Sequence, residues 1–266
     1  MIPNINTNNV IGRRQEIMII KSCIELGRNI LLEGPVGVGK TFIAEQSSLQ
    51  TNFPFFRIDG DPQLSAEKMV GYFDPPMVIN HGYEQKYFIE GPLLQAMNKG
   101  GILFINELNR INKGLQNLLL SVLDEKKLFV PRMGWKAAKD GFCVIATQNP
   151  SEYIGTKQLS EALRDRFEHL VIAYQSYEEE FSILSFLSKD EDLCHKSLRL
   201  VRATREDTRF LRGASIRAAQ AIVLLYEKIR DFSLCARLSL SNRVKLIDPN
   251  QHDLDSVIAE LEKKNH

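Results

Sequence analysis

Residues 29–50 read NILLEGPVGVGKTFIAEQSSLQ. An apolar run ends in the eight residues GPVGVGKT (34–41), and a segment with helical spacing follows. The order Gly-x-x-x-x-Gly-Lys-Thr is met at every position, between a strand and a helix. Glycines at 34, 37 and 39 let the backbone curl so that its N–H groups face phosphate oxygens, and a helix starting near Lys40 adds the positive end of its dipole. In such a loop the lysine, Lys40, reaches the β- and γ-phosphates, and the hydroxyl of Thr41 ligates Mg²⁺. ATP and Mg²⁺ are therefore the expected ligands. Gly34, Pro35, Val36, Gly37, Val38, Gly39, Lys40, Thr41 and Phe42 form the cradle.

Four further apolar runs follow the first: FFRID (55–59), GILFIN (101–106), FCVIAT (142–147) and HLVIA (169–173). Each is apolar nearly throughout, as strands covered on both faces are. Helical spacing separates them, as in 113–127, where Leu115, Leu118, Leu119, Val122 and Leu123 share a stripe. This alternation predicts an α/β fold, a three-layer parallel sheet core with right-handed crossovers. Two stretches interrupt it. Residues 72–92 carry Pro and Gly around two short β-like runs, and 127–141 read as a hairpin around Met133-Gly134. Beyond 175 no strand is expected. SYEEEF (176–181) opens as a capping box, and helices are predicted at 177–188, 190–204 and 215–230, with a last one within 253–261. The organisation is thus an α/β core, 1–174, followed by a small all-α domain, 175–266.

The chain has 266 residues with 34 Lys plus Arg against 33 Asp plus Glu, a net charge of +1. Such a balance gives no electrostatic reason for direct nucleic-acid or anionic-membrane contact. Cysteines 23, 143, 194 and 235 form no C-x-x-C pair and the histidines show no i, i+4 pairing, so a metal site of N and S ligands is not expected. The opening MIPNINTNNVIGRR lacks an apolar leader core and no run reaches bilayer length; the chain is read as cytoplasmic.

Strand 101–106 runs directly into Asn106-Glu107. Ligands sit at the carboxyl edge of open α/β sheets, and a carboxylate there can orient and deprotonate a water aimed at the γ-phosphate, which makes Glu107 the candidate base. FCVIATQNP (142–150) ends with Asn149, which can hold that water or a γ-phosphate oxygen; alone, Asn-Pro is a turn signal. Arg164 and Arg166 precede the fifth strand. They are suited to phosphate contact across a subunit boundary, although an ion pair with Asp165 or Glu168 is the simpler reading. Arg217 stands in a helix's first turn, where the dipole disfavours a cation unless phosphate is bound.

Together these stretches resemble the AAA+ ATPases, and within them the MoxR family, from about residue 8 to 230. NNVIGRR is similar to the entry segment whose backbone at Val10, Ile11 and Gly12 lies by adenine. LLEGPVGVGKT resembles Walker A, and GPLLQAMNKGGILFINELNR the Walker B stretch. VIATQNPSEYIGTKQLSEALRDRF resembles the sensor 1 strand and arginine-finger turn, and LVRATREDTRFLRGASIRAA the lid with its sensor 2 arginine. The resemblance implies that Glu107 is the catalytic base, Asn149 sensor 1 and Arg217 sensor 2, with Arg166 the preferred finger and Arg164 the alternate. It implies a helix-2 insert at 72–91, a pre-sensor-1 hairpin at 127–141, a hexameric ring, and chaperone-like remodelling with a partner bearing a von Willebrand factor A domain. Asn106 departs from the family, standing where Walker B has aspartate; it can accept a bond from a magnesium-bound water but brings no charge, so hydrolysis could be slow. Residues 231–266 match only loosely. Two other readings stand beside the remodeller: a nucleotide-gated binding module with weak turnover, and a motor subunit of a nucleic-acid-processing system.

Overall fold

The computed structural model describes residues 10–149 and 159–264. Among them, all five apolar runs form strands of one five-stranded parallel sheet. The spatial order is Phe55–Asp59, Ile102–Asn106, Cys143–Gln148, Ile30–Glu33, Glu168–Val171. The central three are buried almost to their last residue, as continuous apolar runs require. The expectation of cover on both faces fails for the outer two. Phe55–Asp59 buries only Ile58 and Glu168–Val171 buries nothing, because an edge strand has one neighbour. Their charged residues, Arg57, Asp59 and Glu168, keep those edges from recruiting another strand.

Helices Lys40–Leu49, Pro92–Lys99 and Lys113–Glu125 connect or flank these strands. The last buries Leu115, Leu119, Val122 and Leu123, with Leu118 partly buried at the rim. Because the strands are parallel, their carboxyl ends meet along one edge. Register places Asp59 beside Asn106, and Glu33 beside Gln148, one residue before Asn149. Cys143 is fully buried in this sheet, and burial pushes its thiol up to about 12, so it is an inert hydrophobe.

Both interruptions are ribbons. Gly71–Phe73 pairs antiparallel with Phe88–Glu90, and helix Pro75–His81, not foreseen from the sequence, fills the span between them. Its two leading prolines suit a helix start, where the missing N–H costs nothing. Lys127–Val130 pairs with Gly134–Ala137, placing Phe129 opposite Trp135. Those rings are exposed and meet edge to face with centroids 5.5 Å apart. The guanidinium of Arg132 lies 3.7 Å from the ring centre of Tyr83, tying hairpin to insert.

The chain divides into two compact units: Arg13–Pro35 with Gly39–Ile172, and Ala173–His266 with Val36–Val38 and the residues up to Gly12. The second contains helices Tyr177–Ser185, Glu191–Glu206, Ile216–Ile229, Phe232–Leu240 and Leu254–Lys264. The predicted capping box is present at Ser176 and Glu179. The expectation that no strand follows 175 is corrected, since Phe210–Arg212 pairs antiparallel with Lys245–Leu246. Segments of three and two residues are too short for a period of two to register in sequence. None of the described helices is long and apolar enough to cross a membrane.

Glu180, 1 % exposed, accepts from Arg202 at 2.9 Å and from both terminal nitrogens of Arg205 at 3.0 and 2.8 Å. Removing it strands two guanidinium groups in a half-dry site. Glu180→Ala should therefore lower unfolding free energy by about 3 kcal/mol, the low end for a broken buried pair because Arg202 is partly solvated. A urea denaturation midpoint unchanged from the native chain would contradict this.

Candidate nucleotide-binding site

Gly37 and Gly39 sit at φ 82° and 91°, a region closed to most residues with a Cβ, so the curl of the 34–41 loop depends on glycine at both. Helix Lys40–Leu49 starts immediately after, with Gly39 as its N-cap. Lys40 is buried. Its Nζ donates to the carbonyls of Gly34 at 2.6 Å and Pro35 at 2.9 Å and to Asn149 Oδ1 at 2.6 Å. Val38 is buried and Phe42 partly exposed.

Asn149 reaches two groups. Its Oδ1 takes the lysine, and its Nδ2 donates to Glu107 Oε1 at 3.4 Å. Glu107 itself has φ 56° and ψ 54°, a left-handed conformation that costs a non-glycine residue about 1 kcal/mol or more and is over-represented at functional sites. Two contacts hold it there. Its N–H donates to Thr147 Oγ1 at 2.9 Å, and its Oε2 accepts from Arg110 at 2.6 Å.

Asn106 occupies the centre of a second set. Its Oδ1 accepts from Thr147 Oγ1 at 3.0 Å and lies 3.4 Å from Thr41 Oγ1, while its Nδ2 donates to Asp59 Oδ1 at 2.9 Å. The Arg57 guanidinium, with help from the Asn106 amide, holds the Asp59 carboxyl below the usual carboxylate range. Among the described residues no group of three or more His, Cys, Asp or Glu could hold a metal. A hydroxyl, an amide oxygen and a carboxylate are nevertheless the hard oxygen donors that suit Mg²⁺, which completes its shell with water and phosphate.

The two finger candidates differ. Arg166 is engaged bidentately by Asp124, Nε at 2.6 Å and Nη2 at 3.2 Å, and by Asp165 at 3.1 Å. Arg164 is exposed and has no hydrogen bond or ion pair among the described residues. Both line a concavity of about 970 Å³ along strand Glu168–Val171, together with Arg28, Asp124 and Glu168. Arg217 lies in the first turn of Ile216–Ile229, exposed and likewise unpaired among the described residues. Val10, Ile11 and Gly12 precede helix Arg14–Glu25, and the Ile11 carbonyl accepts from Gln175 at 2.7 Å. Residues 150–158 of the sensor stretch, and Asn8 and Asn9 of NNVIGRR, lie outside the described residues.

Sequence reasoning missed Asp59, Thr147 and Arg110. Thr147 lies in strand Cys143–Gln148, two residues before Asn149, so a period of two counted back from Asn149 points to it. FFRID ends on a carboxylate at the edge where ligands collect, a signal the sequence carried for Asp59 as it did for Glu107.

A parallel sheet in this order, with a glycine loop between a strand and a buried lysine, defines the P-loop ATPase core of the AAA+ class. The profile of the AAA domain (dynein-related subfamily) matches residues 29–167, and the chain belongs to that family. An uncharacterized protein of Staphylococcus saprophyticus is 37 % identical over 171 residues, 64 % of each chain. The uncharacterized protein YojN of Bacillus subtilis is 34 % identical over 181 residues, 66 % of this chain and 59 % of its own. The match thus spans less than two thirds of these relatives. Among solved structures, a candidate ATPase from Cytophaga hutchinsonii superposes with TM-score 0.54 at 23 % identity, covering 97 % of this chain and 91 % of that one. NtrX of Brucella abortus, in complex with ADP, gives 0.55 at 17 %, covering 83 % and 52 %. At such identities the likeness establishes the fold.

Proposed function

We propose that this AAA+ chain binds ATP on the 34–41 loop and hydrolyses it, using Glu107 as base, to drive chaperone-like remodelling of a partner protein in the manner of the MoxR family. The observation that carries the reading is the unbroken polar connection Lys40–Asn149–Glu107. One amide touches both the cation meant for the terminal phosphates and the carboxylate meant for the attacking water. Lys40 presently satisfies itself on neutral carbonyls, and anionic phosphate oxygens are about twice as strong as acceptors. Glu107 orients water and removes its proton. Thr41, with Asn106 beside it, would hold Mg²⁺, and the ion would supply neutralisation of phosphate charge. Saturable uptake of labelled ATP by the purified chain is expected, and its absence with magnesium present would overturn the proposal.

The resemblance extends this to a homo-oligomeric ring, hexameric in form, with a von Willebrand factor A domain protein as the partner sought. The exposed pair Phe129–Trp135, on the hairpin tied to the insert through Arg132, supports client contact at these ribbons. Asn106 supports the second reading, a nucleotide-gated binding module in which ATP sets assembly by linkage.

If a neighbour completes each site, Arg164 is the better finger, since Arg166 already spends its fork on Asp124. Arg164→Ala should lower turnover about tenfold or more. Arg166→Ala should leave the melting temperature close to native, because a solvent-exposed ion pair contributes little. Mixing Arg164→Ala chains with Lys40→Ala chains should restore part of the activity, because each supplies what the other lacks. No recovery on mixing would contradict action across the boundary.

A further inference from the structure

Asn106 leaves the Walker B position without a charge, yet the sheet places a carboxylate one strand away. Parallel register sets Asp59 directly beside Asn106, and the Asn106 amide joins the two at 2.9 Å. The amide is oriented by its surroundings. Its nitrogen faces the carboxylate, and its oxygen faces the hydroxyls of Thr147 at 3.0 Å and Thr41 at 3.4 Å. An aspartate at 106 would set two carboxylates against each other at this distance, and one would then have to bind a proton or a cation. With asparagine the pair carries a single negative charge, the same total as an ordinary Walker B aspartate beside a neutral neighbour.

We infer that Asp59 is the displaced Walker B carboxylate: it supplies the negative charge for the magnesium site, acting through Asn106, whose oxygen it polarises and holds toward Thr41. This rests on the ATP–magnesium reading above. An anion accepting from an amide N–H increases the partial negative charge on that amide's oxygen, as hydrogen bonds in series strengthen one another. Asn106 and Thr41 offer hard oxygens, and groups behind a metal ligand, as Asp59 is here, change metal affinity by about 10–100-fold. Asp59 is a positioning residue in this account. It is exposed, and among the described residues its one competing partner is Arg57 at 3.0 Å; Arg57 also reaches Glu45 at 3.2 Å. The asparagine at 106 therefore does not leave the site without a negative charge.

The test reads metal binding without turnover. ADP affinity of the full chain is measured with Mg²⁺ and again with EDTA, and the ratio of the two reports the metal's contribution. Asp59→Asn should reduce that ratio about tenfold while leaving the EDTA value unchanged. Asp59→Asn/Asn106→Asp, which returns the charge to its usual strand, should recover it. Arg57→Ala separates this from a merely structural role. If Asp59 served only to anchor Arg57, the two single variants would behave alike, whereas here Arg57→Ala should keep the ratio or raise it. Melting temperatures confirm that each variant is folded. An unchanged ratio in Asp59→Asn, with ADP still bound, overturns the inference alone. Failure of the native chain to bind ADP at all overturns the ATP reading and this with it.

Discussion

Lys40→Ala should weaken ATP binding by about a hundredfold or more, read by calorimetry or by displacement of a fluorescent nucleotide. Each hydrogen bond to a charged group is worth about 1.5–3 kcal/mol, and about 1.4 kcal/mol is a factor of ten. The lysine that would make such bonds is already placed, buried, with its Nζ within 2.9 Å of three oxygens. Truncation also leaves Asn149 without its cation and opens a void where the stem packed. Lys40→Met separates these effects, since it keeps most of the stem and removes only the charge. The two variants should lose affinity alike. If Lys40→Met bound ATP like the native chain, packing and not phosphate contact would explain Lys40, and the loop would lose its assigned role.

Glu107→Gln should cut the hydrolysis rate by about 10²- to 10⁴-fold, the range for removal of a positioned general base, while ATP affinity stays within a few-fold. The substitution keeps shape. A glutamine oxygen still accepts from Arg110, and the backbone N–H still meets Thr147, so the left-handed turn at 107 is preserved. Loss of rate without loss of binding is the signature of a group that acts on the reacting water. Single-turnover measurement with saturating ATP makes the comparison independent of product release. A rate within tenfold of native would remove Glu107 from the chemistry and favour the nucleotide-gated module. The Arg110 contact adds a second expectation: since it holds the carboxylate at 2.6 Å, Arg110→Ala should change kcat with little effect on ATP affinity.

Much of this arrangement was legible because its signals are local. The strand–loop–helix at 29–50 declares itself through glycine spacing, and the three central strands through unbroken apolar runs. The capping box at Ser176 needs only four residues to be recognised. Edge position is not local. Nothing in HLVIA (169–173) or FFRID (55–59) says that these strands have one neighbour each, and their exposure follows from strand order. The short ribbon Phe210–Arg212 with Lys245–Leu246 joins segments more than thirty positions apart, too brief to leave a period. Helix Pro75–His81 was hidden behind its prolines, which read equally as a turn.

By itself the sequence determined that a glycine-rich loop precedes a helix, that an Asn-Glu pair ends one apolar strand and an asparagine follows another, and that the residue before Glu107 carries no charge. Those facts concern neighbours along the chain, where residue type and spacing constrain the backbone directly. Only the tertiary structure decided that Asn149 spans Lys40 and Glu107, that Arg166 is committed to Asp124 while Arg164 is not, and that Asp59 stands beside Asn106. Each of those pairings joins residues 40 or more positions apart, and hydrogen-bond geometry at such separations is set by sheet register and strand order, quantities that no short window of sequence contains.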